Sequence, residues 1–283
     1  MASVYAAAAH GRVDLLKRYY DLGNVVVDKR YHLGHTTLCI AARLGHLDAV
    51  NYLLEQGESI LVKNNTNNNA LSVAVVKGHT EILKTLLYYS SQVDLQETFG
   101  ERGYTLLGIA CLLGREDVLE ILLKCDANPN EQGGSNGETP LTCLITESRQ
   151  NAAAMRELLL EHGANPDLAD SSGHTPLFHA IQNGLRQCAY QLLCFRANVN
   201  VAASWSVLPL ACAITLTDPA MVKMLLRHGA CLYLRGPDGT RPVDLQMWGL
   251  PFNTREDIRQ AAVAEWNSNP NASVEWGDSP SHM

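Results

Sequence analysis

The sequence predicts an all-α solenoid, a stack of repeated helix–turn–helix units joined by β-hairpin loops. The first observation behind this prediction is a leucine that returns at a nearly constant spacing, with gaps of 33, 36, 34, 36 and 33 residues. The second is that alanine, glycine and paired leucines keep fixed distances from it. A period of this length is typical of stacked supersecondary units rather than of one globular core. We call the recurring residues the anchors: Leu38, Leu71, Leu107, Leu141, Leu177 and Leu210, extended by Val4 and Val243.

The anchor is predicted to lie on the first helix of each unit. An alanine three residues later shares one helical face with the anchor and lets the next helix approach closely. These alanines are Ala7, Ala41, Ala74, Ala110, Ala180 and Ala213, while the unit of Leu141 has Leu144 instead. A glycine seven residues after the anchor is predicted to end the helix, because it adopts the left-handed conformation without strain. The glycines are Gly11, Gly45, Gly78, Gly114 and Gly184.

The second helix of each unit is marked by a pair of consecutive leucines, which form the buried stripe of an antiparallel partner. The pairs begin at Leu53, Leu86, Leu122, Leu192 and Leu225, and three residues late at Leu159 in the unit of Leu141. A glycine such as Gly57 or Gly229 then closes the unit. The late pair implies an insertion within 146–152, which we interpret as a longer exposed turn, with a partner-contacting bulge as the alternative.

These units resemble the ankyrin repeat. The motifs that carry the resemblance include GHTTLCIAARLGHLDAVNYLLEQG at 34–57, GYTLLGIACLLGREDVLEILL at 103–123 and GHTPLFHAIQNG at 173–184. The histidine that the family places directly after the anchor is absent throughout this chain. The resemblance predicts one ankyrin-repeat domain over residues 2–266 and a disordered tail over 267–283. Its repeats are placed near 2–30, 31–63, 64–99, 100–133, 134–169, 170–202 and 203–235, with a cap at 236–266.

Composition excludes several functional classes. The formal net charge of −7 and the lack of a Lys/Arg block argue against a nucleic-acid partner, since phosphate binding needs clustered positive charge. The apolar stretches are too short to span a membrane, and the amino end is interpreted as a first helix rather than a signal peptide. The eight cysteines show neither CxxC nor zinc-ligand spacing, and we expect buried thiols in a reducing compartment. We therefore expect a cytoplasmic protein, with the nucleus as a second compartment.

Catalytic and cofactor motifs are missing from the sequence. There is no GxSxG, HExxH, GxxxxGK[ST] or GxGxxG pattern, so we expect no enzyme, cofactor or metal site. His46 and His79 follow the turn glycine, and His162 and His228 precede a closing glycine. These four are predicted to hydrogen-bond to turns. His179 is interpreted as a core histidine with a satisfied partner rather than as a catalytic base.

The resemblance implies that ligands contact the hairpin tips and the exposed side of the first helix, on the concave face. Apolar residues occupy these addresses in repeats two to four, beside Arg43, Lys77 and Arg102, and again in repeat seven. An exposed apolar patch flanked by charge marks an interaction site. The candidate partner-binding residues are Leu33, His35, Arg43, Leu44, Val76, Lys77, Arg102, Tyr104, Leu112, Leu113, Trp205, Val207 and Leu216.

The sequence therefore predicts a non-catalytic scaffold or adaptor, monomeric by itself, that binds a protein or peptide. The alternative is a substrate-recognition subunit of a ubiquitin ligase, recruited through a helix at 253–266. Gly249-Leu250-Pro251 matches only weakly the recruiting box that this alternative requires. The resemblance further implies that Asn130 and Asn200, each eight residues after a leucine, are candidate targets of asparaginyl hydroxylation.

Overall fold

A computed structural model describes residues 3–23, 25–89, 94–146, 152–201, 208–236, 239–247 and 249–268. Helices dominate these ranges, and the predicted fold class is confirmed. The helices are α1 (Val4–Ala9), α2 (Val13–Asp21), α3 (Thr37–Leu44), α4 (Leu47–Glu55), α5 (Ala70–Lys77), α6 (Thr80–Tyr89), α7 (Leu106–Leu113), α8 (Glu116–Lys124), α9 (Pro140–Thr146), α10 (Ala152–Glu161), α11 (Pro176–Gln182), α12 (Arg186–Cys194), α13 (Pro209–Thr215), α14 (Pro219–Arg227) and α15 (Phe252–Ser268). A short antiparallel pair, β1 (Thr98–Phe99) and β2 (Tyr104–Thr105), forms one of the connecting hairpins.

The chain divides into two compact units, Met1–Ser135 and Asn136–Met283. In the first unit, the inner helices α1, α3, α5 and α7 pack in sequence, and the outer helices α2, α4, α6 and α8 pack in a second row. In the second unit, α9, α11 and α13 form the inner row, while α12, α14 and α15 follow one another in the outer row. The boundaries predicted for the individual repeats and for the cap stay predictions.

The anchor leucines are among the most deeply buried positions of the inner helices. All six anchor leucines are no more than 2% exposed, and the residue three positions later is equally buried in each of these repeats. In the outer helices, the first leucine of each pair is fully buried, whereas the second lies at the edge of the core. The periodic leucines therefore form one continuous apolar layer within each unit.

Each inner helix of repeats two to four begins at a side-chain cap. The hydroxyl of Thr36 accepts the backbone N–H of Cys39 at 3.1 Å, and Thr105 accepts that of Gly108 at the same distance. Asn69 and Ser72 form a reciprocal capping box at the start of α5. Because the residue after the anchor takes part through its backbone, the missing family histidine does not remove the cap.

Gly45, Gly78 and Gly114 end α3, α5 and α7 as predicted, and a histidine of the next repeat packs on the turns of Gly11 and Gly45. Gly45 has φ 84°, and a Cβ on it would lie 2.9 Å from the ring of His79. The Nε2 of His79 is 3.3 Å from the carbonyl oxygen of Arg43, and that of His46 is 3.0 Å from the carbonyl oxygen of Ala9. The prediction that these histidines bind turns is confirmed, and it explains why the glycine cannot carry a side chain.

The outer helix of the seventh repeat begins at an aspartate side-chain cap, Asp218. Asp218 caps α14 by accepting the N–H groups of Ala220 and Met221, each at 3.1 Å, and its carboxylate pairs with Arg186 Nε at 2.9 Å. Burial acts to raise the pKa of Asp218, but the Arg186 hydrogen bond and charge and the two capping N–H groups outweigh it. The net result is a lowered pKa. The carboxylate is thus a structural anion that links two outer helices.

We expect Asp218→Ala to reduce the free energy of unfolding at neutral pH by about 1–2 kcal/mol, because it removes the cap and the ion pair. The folded-state pKa lies below the unfolded value, so this stabilisation is present above about pH 4 and is lost as the pH falls through the folded pKa. Urea denaturation of both proteins at neutral and acidic pH measures the difference. Arg186→Gln, which leaves Asp218 in place as the cap, should reduce the free energy of unfolding by less. A penalty for Asp218→Ala that is as large in acid as at neutral pH would contradict this account.

The cysteines only partly meet the expectation of burial. All eight are free thiols, and Cys39, Cys111, Cys143, Cys188 and Cys212 are buried. Cys125 and Cys194 are exposed, and Cys231 is half-buried. The prediction of burial is wrong for the exposed pair. Cys194 is the last residue of α12 and Cys125 directly follows α8, where the outer helices turn away from the core.

Candidate interaction face and a polar cluster in repeat six

The last turns of α3, α5 and α7 present two residues each beside the buried stripe. Since α3 packs against α5 and α5 against α7, these turns lie next to one another. Leu44 is 45% exposed, Lys77 is also exposed, and the other four side chains are half-buried. We call these six residues the last-turn face: Arg43, Leu44, Val76, Lys77, Leu112 and Leu113. The structure thus places all six at partly solvent-accessible positions of one unit, as the sequence predicted.

The hairpin tips carry three further candidate residues. Leu33 is 54% exposed and adopts φ 58°, and its carbonyl oxygen accepts the N–H of Asn65 in the next hairpin at 3.1 Å. Arg102 is exposed, and Tyr104 is half-buried at the start of β2. Backbone hydrogen bonds of this kind tie consecutive tips together, which fixes the candidate side chains relative to one another.

His35 does not lie at the surface, and the expectation of exposure is wrong for it. The residue is 8% exposed, and its Nδ1 lies 3.2 Å from Cys39 Sγ and 3.3 Å from the side-chain nitrogen of Asn64. Burial lowers the pKa of His35, and the positive charges of Arg43 and His32 act in the same direction. Polar partners on its own helix and on the next hairpin let the ring be buried, so we treat it as a packing residue.

The second candidate patch, in repeat seven, is described only in part. Leu216 is 47% exposed directly after α13. Trp205 and Val207 lie outside the described residues, as do 147–151 of the predicted insertion and 269–283 of the predicted tail. Their proposed roles stay predictions.

Positive charge flanks the apolar part of the last-turn face. The Nε of Arg43 is buried without a hydrogen-bond partner. Within the described part of the chain, Arg43, Lys77 and Arg102 take part in none of the ion pairs. Unpaired cations beside exposed leucines can attract the carboxylates of a partner without first breaking an internal ion pair.

Glu58 is a buried carboxylate in the same compact unit as the last-turn face. The Oε1 of Glu58 accepts the Tyr20 hydroxyl at 2.7 Å, and its Oε2 accepts the N–H of Leu38 at 2.8 Å. Burial raises the pKa of Glu58 against the opposing effect of these hydrogen bonds. Sequence reasoning misses Glu58, although one signal marks it: the corresponding address holds an alanine, which is buried, in repeats four, six and seven, at Ala127, Ala197 and Ala230.

Repeat six contains a cluster of three polar side chains, Asp170, His174 and His179, which we call the repeat-six cluster. The Nε2 of His179 is 2.8 Å from Asp170 Oδ2, and the Nδ1 of His174 is 3.9 Å from the same oxygen. His179 has the polar partner that the sequence predicted, although the residue is half-buried rather than part of the core. Burial acts to raise the pKa of Asp170, but the N–H of His174 and the hydrogen bond and charge of His179 outweigh it. The pKa of Asp170 is therefore lowered.

The buried thiols have the character of packing groups. Burial raises the pKa of Cys39 to about 11 and also raises the pKa values of Cys188 and Cys212. These cysteines are protonated at neutral pH and lack the thiolate character that nucleophilic catalysis requires.

Two features implied by the family resemblance, asparaginyl hydroxylation and a recruiting helix, map onto described residues. The side-chain amide of Asn200 donates to the Gly229 carbonyl at 3.1 Å, and its oxygen accepts the N–H of Cys231 at 2.8 Å. Helix α15 covers the range proposed for ubiquitin-ligase recruitment and packs against α14, with Ile258 and Ala262 buried. Hydroxylation and recruitment both stay predictions.

No helix within the described ranges combines the length and the apolar character that crossing a bilayer requires.

Comparison with known proteins identifies the repeat. A family model for ankyrin repeats in three copies matches overlapping windows at residues 4–98, 59–133, 80–168, 107–203 and 147–236. A putative ankyrin repeat-containing protein of Treponema pallidum is 36% identical over 46% of this chain, which spans 41% of that protein. The chain thus spans less than half the length of this curated relative.

Two solved structures share the fold. An ankyrin repeat domain from Acinetobacter baumannii is 30% identical, with a TM-score of 0.62 over 68% of this chain and 96% of that one. The ankyrin repeat domain of Bcl-3 is 22% identical, with a TM-score of 0.71 over 78% of this chain and 96% of that domain, and this likeness shows the fold alone. The anchors, helix caps and turn glycines are the features that recur in each matched repeat. The chain belongs to the ankyrin-repeat family.

Proposed function

We propose that this chain is a non-catalytic adaptor that binds a segment of another protein across the last-turn face and the hairpin tips of repeats two to four. Ankyrin repeats are generally protein-interaction modules, and their fold is typically non-catalytic. The observation that carries the proposal is Leu44, a large apolar side chain 45% exposed at the end of α3. Its neighbours on the last-turn face include two more leucines, whose removal from water by a partner would stabilise a complex.

The charges beside these leucines favour a particular kind of partner. Arg43, Lys77 and Arg102 are free to pair with carboxylates, while the chain as a whole carries a net charge of −7. A segment that combines apolar side chains with Asp or Glu would satisfy both features of the face. Its binding is expected to weaken as the salt concentration rises, because part of the attraction is between exposed charges.

A double variant, Leu44→Glu with Leu113→Glu, tests the proposal directly. It replaces two apolar contacts by carboxylates that repel an acidic partner, so proteins captured by the wild-type chain should be depleted about tenfold or more. Affinity capture followed by quantitative mass spectrometry measures the depletion, with circular dichroism to verify the fold.

The matched control is Leu61→Glu with Val263→Glu, which adds the same charge at two exposed apolar positions that are not part of the last-turn face. This control should retain the captured proteins. If the Leu44/Leu113 variant is folded and captures the same proteins in the same amounts as the control, the proposed face is wrong.

A further inference from the structure

The repeat-six cluster brings three potential metal ligands together in the second compact unit, whereas the last-turn face belongs to the first. One ligating atom each of Asp170, His174 and His179 lies within 4.8 Å of the other two. We propose that this cluster binds a divalent first-row transition ion through Asp170 Oδ2 and one ring nitrogen of each histidine. This inference is independent of the adaptor function.

The distances suit such an ion after small movements. Zinc holds nitrogen and carboxylate oxygen at about 2.0–2.2 Å, so two ligands of a tetrahedral site lie about 3.3 Å apart. The separations from Asp170 Oδ2 are 2.8 Å to His179 Nε2 and 3.9 Å to His174 Nδ1. One value is below and the other above the required separation. Side-chain rotations that move these atoms by less than an ångström would bring both to about 3.3 Å.

The surrounding structure already orients the ligands. Asp170 Oδ1 accepts the N–H groups of Ser172 and His174, each at 2.9 Å, which leaves Oδ2 for the histidines. The ring of His174 stacks on Phe178, with a centroid distance of 4.7 Å and an angle of 7°. Contacts that hold a ligand from outside the coordination sphere usually strengthen metal binding.

Packing alone does not require the histidine at position 179. The address of His179, two positions after the anchor, holds aliphatic residues or cysteine elsewhere: Ile40, Val73, Ile109, Cys143 and Cys212. The stack therefore forms without a histidine at this position. A buried His–Asp pair is not in general more stable than well-packed apolar residues, so stability alone does not account for it.

The ligand set also restricts the metal. Two imidazoles and one carboxylate suit zinc, cobalt or iron(II), whereas magnesium and calcium prefer oxygen ligands alone. The His174 side chain is 29% exposed and that of His179 is 15% exposed, so an ion can enter from solvent and keep a water as a further ligand. On binding, the proton on His179 Nε2 moves to Nδ1 through solvent, and the freed lone pair coordinates the ion.

Titration with zinc chloride by isothermal calorimetry tests the site. The full chain is used with Cys125→Ser and Cys194→Ser, which removes the exposed thiols that would compete for zinc. We expect one equivalent to bind, and His174→Gln and His179→Gln each to weaken binding by at least about tenfold. His162→Gln, at an exposed histidine outside the cluster, should leave the affinity unchanged.

Cobalt chloride provides a second readout, because its visible spectrum reports nitrogen and oxygen ligation and a thiolate would add a near-ultraviolet charge-transfer band. If His179→Gln fails to fold, the partly exposed His174 decides the outcome through His174→Gln. Folded variants that bind zinc as tightly as the parent, or a parent that shows no saturable binding, would overturn the proposal.

Discussion

Truncation of a central anchor, Leu71→Ala, is expected to reduce the free energy of unfolding by about 3 kcal/mol, within a range of roughly 2–5 kcal/mol. Leu71 is fully buried in α5, which packs against both α3 and α7. The lost methyl groups would leave a cavity at the junction of three inner helices, and the apolar area they buried would no longer contribute. Because repeats are stabilised by their immediate neighbours, both flanking interfaces should weaken together.

Urea denaturation followed by circular dichroism measures this loss. The matched control is Leu44→Ala, which removes the same atoms from a side chain 45% exposed on the neighbouring inner helix. We expect the control to change stability by less than about 0.5 kcal/mol. Equal denaturation midpoints for the two variants would show that the anchor does not carry the interface between repeats.

Glu58→Ala is expected to have an effect of similar size, about 2–4 kcal/mol, for a different reason. The substitution removes the acceptor of both the Leu38 N–H and the Tyr20 hydroxyl, and a buried donor left without a partner costs about 1–3 kcal/mol. Burial and the hydrogen bond to Glu58 raise the pKa of Tyr20, so the phenol remains the donor at neutral pH.

A graded series separates the two hydrogen bonds. Tyr20→Phe removes one donor together with its need for a partner, and should cost about 1 kcal/mol. Thermal and urea denaturation of wild type, Tyr20→Phe and Glu58→Ala should give that order of stability. A Glu58→Ala protein as stable as Tyr20→Phe would mean that water replaces the carboxylate at Leu38.

The ionisation of Glu58 adds a pH dependence to this prediction. Its folded-state pKa is raised above the unfolded value, so the native state holds a proton that the unfolded state releases. In the window between the two pKa values, which begins near the ordinary value for a glutamate, the contribution of Glu58 to stability decreases as the pH rises. The difference between wild type and Glu58→Ala should accordingly be larger below this window than above it.

The exposure of the last-turn face could be predicted from the sequence because solvent exposure follows the repeat. Leu44 and Lys77 occupy one address in successive units, and the structure exposes both. His35 shows the limit of this reasoning, since its address predicts exposure and the ring is buried beside Asn64. Whether a side chain at a hairpin points inward depends on the residue that the next hairpin offers, which periodicity does not specify.

The sequence by itself determined the repeated helix pairs, the anchors and the turn glycines. Each of these follows from interactions within a few residues along the chain, such as a cap, a helical face or a left-handed turn. Only the tertiary structure decided which polar side chains meet. Glu58 accepts the hydroxyl of Tyr20, 38 residues earlier in the chain, and His35 contacts Asn64, 29 residues later. Such contacts between neighbouring repeats depend on how closely the helices stack, and no local pattern in the chain encodes that distance.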